Sequence, residues 1–199
     1  MRWWITGGVL LILLVSWGRS QEPPKRDHCE DKAPDLRSVA GAKDASNDTE
    51  ASSKRPLDEL DWMVGQWLDR GDDVTIETKV SWTANRAFLV RTFRVETKDA
   101  DAALEGTQVI GWDPVQRRIR SWTFDSAGGF GQGIWFRDGN RWVVKKSFVL
   151  AEGKRASAIN VITYVDEKTL QWQSINREIA GEWQPNTPVV TVKRKGTSE

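Results

Sequence analysis

The chain holds one cysteine and one histidine in 199 residues, adjacent to each other at Cys29 and His28. A single thiol excludes an intramolecular disulfide, and by itself it cannot build a thiolate zinc or iron–sulfur site. Beyond residue 28 there is no imidazole, which removes a Ser-His or Cys-His nucleophile, a histidine general base, a His-rich zinc site and a histidine-ligated haem. Neither sign of charge is in excess, Lys+Arg being 29 against Asp+Glu 28, so there is no basic footprint for nucleic acid and no acidic run. Tyrosine is nearly missing too. Tryptophan, ordinarily scarce, occurs 12 times and outnumbers Phe 6 and Tyr 1 together.

Only one long apolar run exists, and it lies at the amino terminus. Arg2 provides a positive start, an apolar stretch of about 13 residues runs over 5–17, and Gly18-Arg19-Ser20 has the small residues of a cleavage site. Such a run is shorter than the ~18–20 residues of a spanning helix, so the reading is a signal peptide over 1–20 and no stable membrane span. Residues 21–55 carry Pro23, Pro24, Pro34 and mixed charge with few apolar side chains, the composition of a disordered tether. His28 and Cys29 fall in this tether without further ligands, so no metal site is assigned, and Asn47-Asp48-Thr49 is a sequon that matters only in a eukaryotic secretory host. The localisation expected is periplasmic or secreted.

The domain proper is expected over 56–195, with a disordered tail at 196–199. Leu57, Leu60, Trp62 and Met63 have helical phase, predicting a helix of one or two turns that acts as a lid or plug. Ten β-type runs then follow, over 66–69, 74–82, 88–96, 107–112, 119–125, 133–137, 142–150, 156–165, 170–177 and 189–193. The joints, among them Thr83-Ala84-Asn85-Arg86, Arg137-Asp138-Gly139-Asn140 and Ala151-Glu152-Gly153-Lys154, have hairpin length and turn chemistry, whereas parallel pairing needs crossovers of a dozen residues. The fold class is therefore all-β, an antiparallel up-and-down β-barrel of about 8–10 strands with a short N-terminal helix; a sandwich would need Greek-key connections that are missing. Alternation puts Val74, Ile76, Val80 and Trp82 on one face, and Trp142, Val144, Phe148 and Leu150 on another, and every tryptophan is expected on an apolar face.

Two stretches carry a resemblance. Gly65-Gln66-Trp67 at the start of the first strand looks like the opening of lipocalin-like (calycin-type) barrels. Glu105 to Pro114, followed by Ile119 to Ser126 and Gly129-Phe130-Gly131, resembles the C-terminal domain of exported, mainly planctomycete proteins that usually begin with a SnoaL-like, polyketide cyclase-like domain. The resemblance implies a lipocalin-like barrel and export. It gives this chain no catalytic residues, because the cyclase-like domain is replaced by a short tether; a separate protein partner could supply it.

Barrels of about eight strands hold either side chains or one small ligand, so the tryptophans fill the interior or wall a pocket. The residues expected to bind a ligand are polar ones flanked by apolar neighbours on their own face, together with aromatic pairs: Arg91, Asn160, Gln173, Arg177, Trp122, Phe124 and Trp82. Against this stand an Arg91–Glu77 ion pair and a Lys146 that snorkels to a rim. Asp125-Ser126 with Gly128-Gly129-Phe130-Gly131 fits neither a phosphate loop nor a nucleophile elbow and reads as a turn at the barrel mouth. No catalytic residue, metal or cofactor is assigned. The function expected is binding of a small apolar or amphipathic molecule in an aromatic-lined interior. The alternatives are a histidine-free isomerase or hydrolase of a small hydrophobic substrate, using Glu77 or Asp125, and a solid-cored envelope interaction module.

Overall fold

The computed structural model describes residues 55–196. The expected signal peptide, the tether with His28, Cys29 and Asn47, and residues 197–199 lie outside the described residues.

Eleven strands make one sheet: β1 (Gly65–Arg70), β2 (Val74–Trp82), β3 (Phe88–Thr97), β4 (Leu104–Asp113), β5 (Arg118–Asp125), β6 (Phe130–Asp138), β7 (Arg141–Val149), β8 (Arg155–Asp166), β9 (Thr169–Ile179), β10 (Glu182–Gln184) and β11 (Val190–Arg194). From β1 to β9 each strand pairs antiparallel with the next, as the short turns require. The far edge of β9 pairs with β11, and β11 with β1, so ten strands close into a barrel. Closure removes the free edges except along β10, which pairs only with β9.

β10 has no counterpart in the sequence periodicity, because it and β11 are two pieces of one interrupted wall strand. Glu182–Gln184 lies against the second half of β9 and Val190–Arg194 against the first. Pro185 and Pro188, between the pieces, cannot donate to a ladder. Side chains stand in: Thr187 Oγ1 accepts from the Ser174 amide at 2.8 Å, and Asn186 Oδ1 accepts from the Asn176 amide at 3.0 Å.

The segment before the barrel is helical as expected, but it is a 3-10 helix over Pro56–Met63. Its buried residues are Leu57, Leu60 and Met63. A spacing of three eclipses in a three-residue turn, and eight residues are too few to hold an isolated α-helix. These side chains close one end of the barrel, where they share a core with Trp67, Leu89, Ile110, Trp135, Trp142 and Val144, against which Trp62, Trp82, Trp112 and Trp172 also pack. Burial of each such side chain contributes about 1.5–3 kcal/mol. The expectation that every tryptophan lies on a core face fails twice: Trp122 and Trp183 point outward, Trp183 with 58% of its surface exposed.

One arginine fastens the closed end. Arg194 donates from Nε to Glu167 O at 2.6 Å, from Nη1 to Val64 O at 2.5 Å and from Nη2 to Trp62 O at 2.8 Å, and its guanidinium stacks 4.2 Å from the Trp67 ring. Gly65, at φ 133, lies directly under that guanidinium, and any side chain there would displace it. The Gly-x-Trp at the start of β1 is thus a structural unit: the glycine admits the arginine that covers the tryptophan.

Candidate functional site

The pairing register assigns the two faces of the wall. Val80 pairs with Arg91, Arg91 with Gln108, Gln108 with Thr123 and Ser121 with Gly133. Lys146 then pairs with Ala158, and Val144 with Asn160, which pairs with Ser174. Since Leu89, Val80, Ile110 and Val144 are core residues, Arg91, Gln108, Ser121, Thr123, Lys146, Asn160 and Ser174 share the inward face with them. Across the middle of the barrel, between the tryptophan-rich closed end and the open end, lies a belt of polar side chains.

Part of that belt is internally satisfied. Gln108 Nε2 donates to Ser121 Oγ at 3.3 Å and to Thr123 Oγ1 at 3.1 Å, and the Trp135 indole N–H donates to the same serine at 3.0 Å. Of the remainder, Arg91 and Asn160 face an interior cavity of about 110 Å³ lined by Trp67, Phe93, Trp172, Val190, Val192 and other apolar side chains, together with Asp69. A cavity of about 150 Å³ admits benzene, and drug-sized ligands need about 300 Å³ or more. At about 110 Å³ the interior in this conformation is below the first of these volumes, so benzene size is its upper limit. Two larger depressions, of about 670 and 890 Å³, are open grooves lined chiefly by outward-facing residues.

Of the residues expected to bind a ligand, Arg91, Asn160 and Arg177 face inward. Arg91 forms no ion pair with Glu77, which points outward to Lys195 Nζ at 3.3 Å. Instead, burial with no compensating carboxylate pushes the Arg91 guanidinium down to about 10. Its guanidinium lies 5.7 Å from the Phe93 ring. Trp122 and Phe124 face outward, since their neighbours Ser121 and Thr123 hold the inward positions of β5, and Phe124 is 55% exposed. Gln173 also faces outward, donating from Nε2 to Thr187 O at 3.0 Å. Trp82 belongs to the closed end, where its indole donates to Asp61 Oδ1 at 2.7 Å and its ring is flanked by Arg86 at 4.5 Å and Arg55 at 5.8 Å.

Gln173 and Arg177 part company because β9 carries a bulge. The register shifts between Ser157 and Ile159, and Asn176 at φ 49 takes up the extra residue. Alternation resumes one residue late, which leaves Ile175 outside and turns Arg177 inward. Arg177 is 1% exposed; its Nη1 donates to Pro185 O at 2.6 Å while Nε and Nη2 have no partner. Burial lowers its pKa as well.

Besides Asp69 and the mutually bonded Gln108, Ser121 and Thr123, two inward residues were absent from the expected site. Lys146 does not snorkel to a rim: it projects inward from the middle of β7, its Nζ 6.0 Å from the Phe148 ring, and burial, with a smaller contribution from the Arg91 charge, lowers it to about 8. Ser174 is fully buried with an unpartnered Oγ. The signal for Lys146 was the strict alternation Val144-Lys146-Phe148, with both neighbours on its face in the core. Ser174 carried no comparable signal.

At the open end, Asp125 Oδ1 accepts from the Ala127 amide at 3.0 Å and the Gly129 amide at 2.8 Å, the capped turn expected at the barrel mouth. Among the described residues no three His, Cys, Asp or Glu side chains gather as a metal site, and no helix is long and apolar enough to cross a membrane. No family model matches the chain, and no curated protein matches it.

Proposed function

We propose that the domain is an exported binding protein that takes a small apolar or amphipathic molecule into the barrel interior. The observation that carries this reading is the interior cavity itself: an apolar wall with Trp67, Phe93 and Trp172, entered by Arg91 and Asn160, whose side chains make no hydrogen bond among the described residues. Apolar burial would supply about 25 cal/mol per Å² of ligand surface, and the polar side chains would orient one end. Export rests on the amino-terminal signal pattern, and the resemblance to C-terminal domains of exported proteins agrees with it. The test is native mass spectrometry of the protein recovered from the periplasm of a host that processes its signal. A co-purifying small molecule, lost on denaturation, is the expected result. A bare chain that also fails to take up any of a panel of benzene-sized molecules, read by tryptophan fluorescence, would refute it.

One observation favours an enzyme as the second reading. Asp69 lines the same cavity, and burial raises its carboxyl pKa. General acid–base work usually needs a second group in reach. Asp69 has no hydrogen-bonded partner among the described residues, so binding remains the better account.

A further inference from the structure

Three cations face the barrel interior, and none of them meets an acid. Arg91, Lys146 and Arg177 take part in none of the ion pairs found among the described residues. They enter from three strands. Lys146 on β7 pairs with Ala158 on β8, and the bulge of β9 turns Arg177 inward beyond that alanine. One step along, Asn160 pairs with Ser174. Arg91 reaches in from β3, close enough for its charge to act on Lys146.

Every one of these groups offers N–H or O–H donors, and none of them is met by a protein acceptor except one Arg177 nitrogen. Asn160 is 9% exposed and Ser174 0%. Asp69 lines the same cavity as Arg91 and Asn160, but from another level of the wall. Asp69 is level with Ile76 and Val95, four residues along β1 from Gly65, which pairs with the Arg91 neighbour Val80; that is about 13 Å along the strands. Asp125 is tied into the mouth turn by its own backbone hydrogen bonds.

An unpaired interior charge costs several kcal/mol, and apolar residues of the same volume are normally as stable or more so. Arg91 and Lys146, close enough to repel each other, with the Asn160 amide lining the same cavity as Arg91, form half of an ion pair. Resting on the binding function above, we infer that the ligand is a small organic carboxylate: its anionic end takes the donors of Arg91 and Asn160, with the Lys146 charge behind them, and its ring or short chain fills the apolar cavity beside Trp67 and Trp172. The volume of about 110 Å³ confines the apolar part to about benzene size. Phe93 and Phe148, under the Arg91 and Lys146 head groups at 5.7 and 6.0 Å, hold the two cations in place for the anion.

Benzoate and its neutral near-isostere benzyl alcohol test this on the full chain, by calorimetry and tryptophan fluorescence at pH 7. The expected result is benzoate bound at least 30-fold tighter than benzyl alcohol. Arg91→Met and Lys146→Met should each weaken benzoate at least tenfold and leave benzyl alcohol within twofold. Circular dichroism establishes that each variant is folded, and Asn160→Leu, which should weaken benzoate by about fivefold, replaces any variant that is not. Equal binding of the two probes, or benzoate binding indifferent to the cation variants, overturns the carboxylate assignment and leaves interior binding standing. Binding of neither probe removes both.

Discussion

Replacing Lys146 by methionine should make the protein more stable. The folded chain holds Lys146 at about 8 against an ordinary 10.5, chiefly because burial disfavours its charge and secondarily because Arg91 repels it. At 1.36 kcal/mol per pH unit, that gap corresponds to about 3 kcal/mol of destabilisation at neutral pH. The sign follows from proton counting. Between pH 8 and 10.5 the unfolded chain keeps a proton on this amine that the folded chain has released, so stability rises with pH through that window and the penalty is fully present below it. Other charged groups on the inner wall are Arg91 from β3, Arg177 from β9, Asp69 from β1 and Asp125 from β5; Arg91, at about 10, regains its share only above that pH. Urea unfolding of the unliganded protein at pH 7 and pH 10, for the parent chain and Lys146→Met, reads the difference directly. Methionine fills the same volume without charge, so the variant should gain about 2–3 kcal/mol at pH 7. The advantage should shrink to less than about 1 kcal/mol at pH 10. A variant less stable than the parent at pH 7, or an advantage that does not depend on pH, would refute the placement of an unpaired ammonium in the barrel.

Arg194→Met should cost about 3 kcal/mol in the same unfolding assay, because three backbone carbonyls lose a charged donor and Trp67 loses its cover; Arg194→Lys should recover little, one ammonium being unable to span the three. Gly65→Ala should cost about 1–3 kcal/mol through the same contact, and the double change with Arg194→Met should cost less than the sum of the two. Trp122→Ala and Phe124→Ala remove outward-facing rings, so benzoate affinity should stay within twofold, whereas Trp172→Ala enlarges the cavity and should weaken benzoate while admitting larger aromatic acids. Asn176→Gly should be tolerated within about 0.5 kcal/mol, and Asn176→Val, which resists a positive φ, should cost about 1–2 kcal/mol in the same unfolding assay.

The barrel was legible because its information is local. Each hairpin announces itself by alternation and by turn residues, and ten short antiparallel strands without crossovers leave closure as the simplest way to remove the edges. The interrupted strand β10–β11 escaped because its ladder is carried by Asn186 and Thr187 side chains around two prolines, a substitution that no periodicity reports. The site was harder to read for a different reason. Alternation sorts a strand into two faces but does not say which one turns inward, and on β5 the rule of thumb misleads: the aromatic face of Trp122 and Phe124 is outside, while Ser121 and Thr123 are the buried pair. Only the register across four neighbouring strands settles the side, since each pairing transmits the orientation of the last. On β9 even that transmission is interrupted, and the bulge at Asn176 converts Arg177 from a companion of Gln173 into an interior residue. The inward cations on β3 and β7 did carry a local mark. Leu89-Arg91-Phe93 and Val144-Lys146-Phe148 each place a charge between two core residues on one face, and the ordinary explanations, an internal ion pair for the first and a rim position for the second, each lack the partner or the location they require. Once both explanations fail in the same belt of the same barrel, a partner that is not part of the protein becomes the more economical account of two charges held out of water.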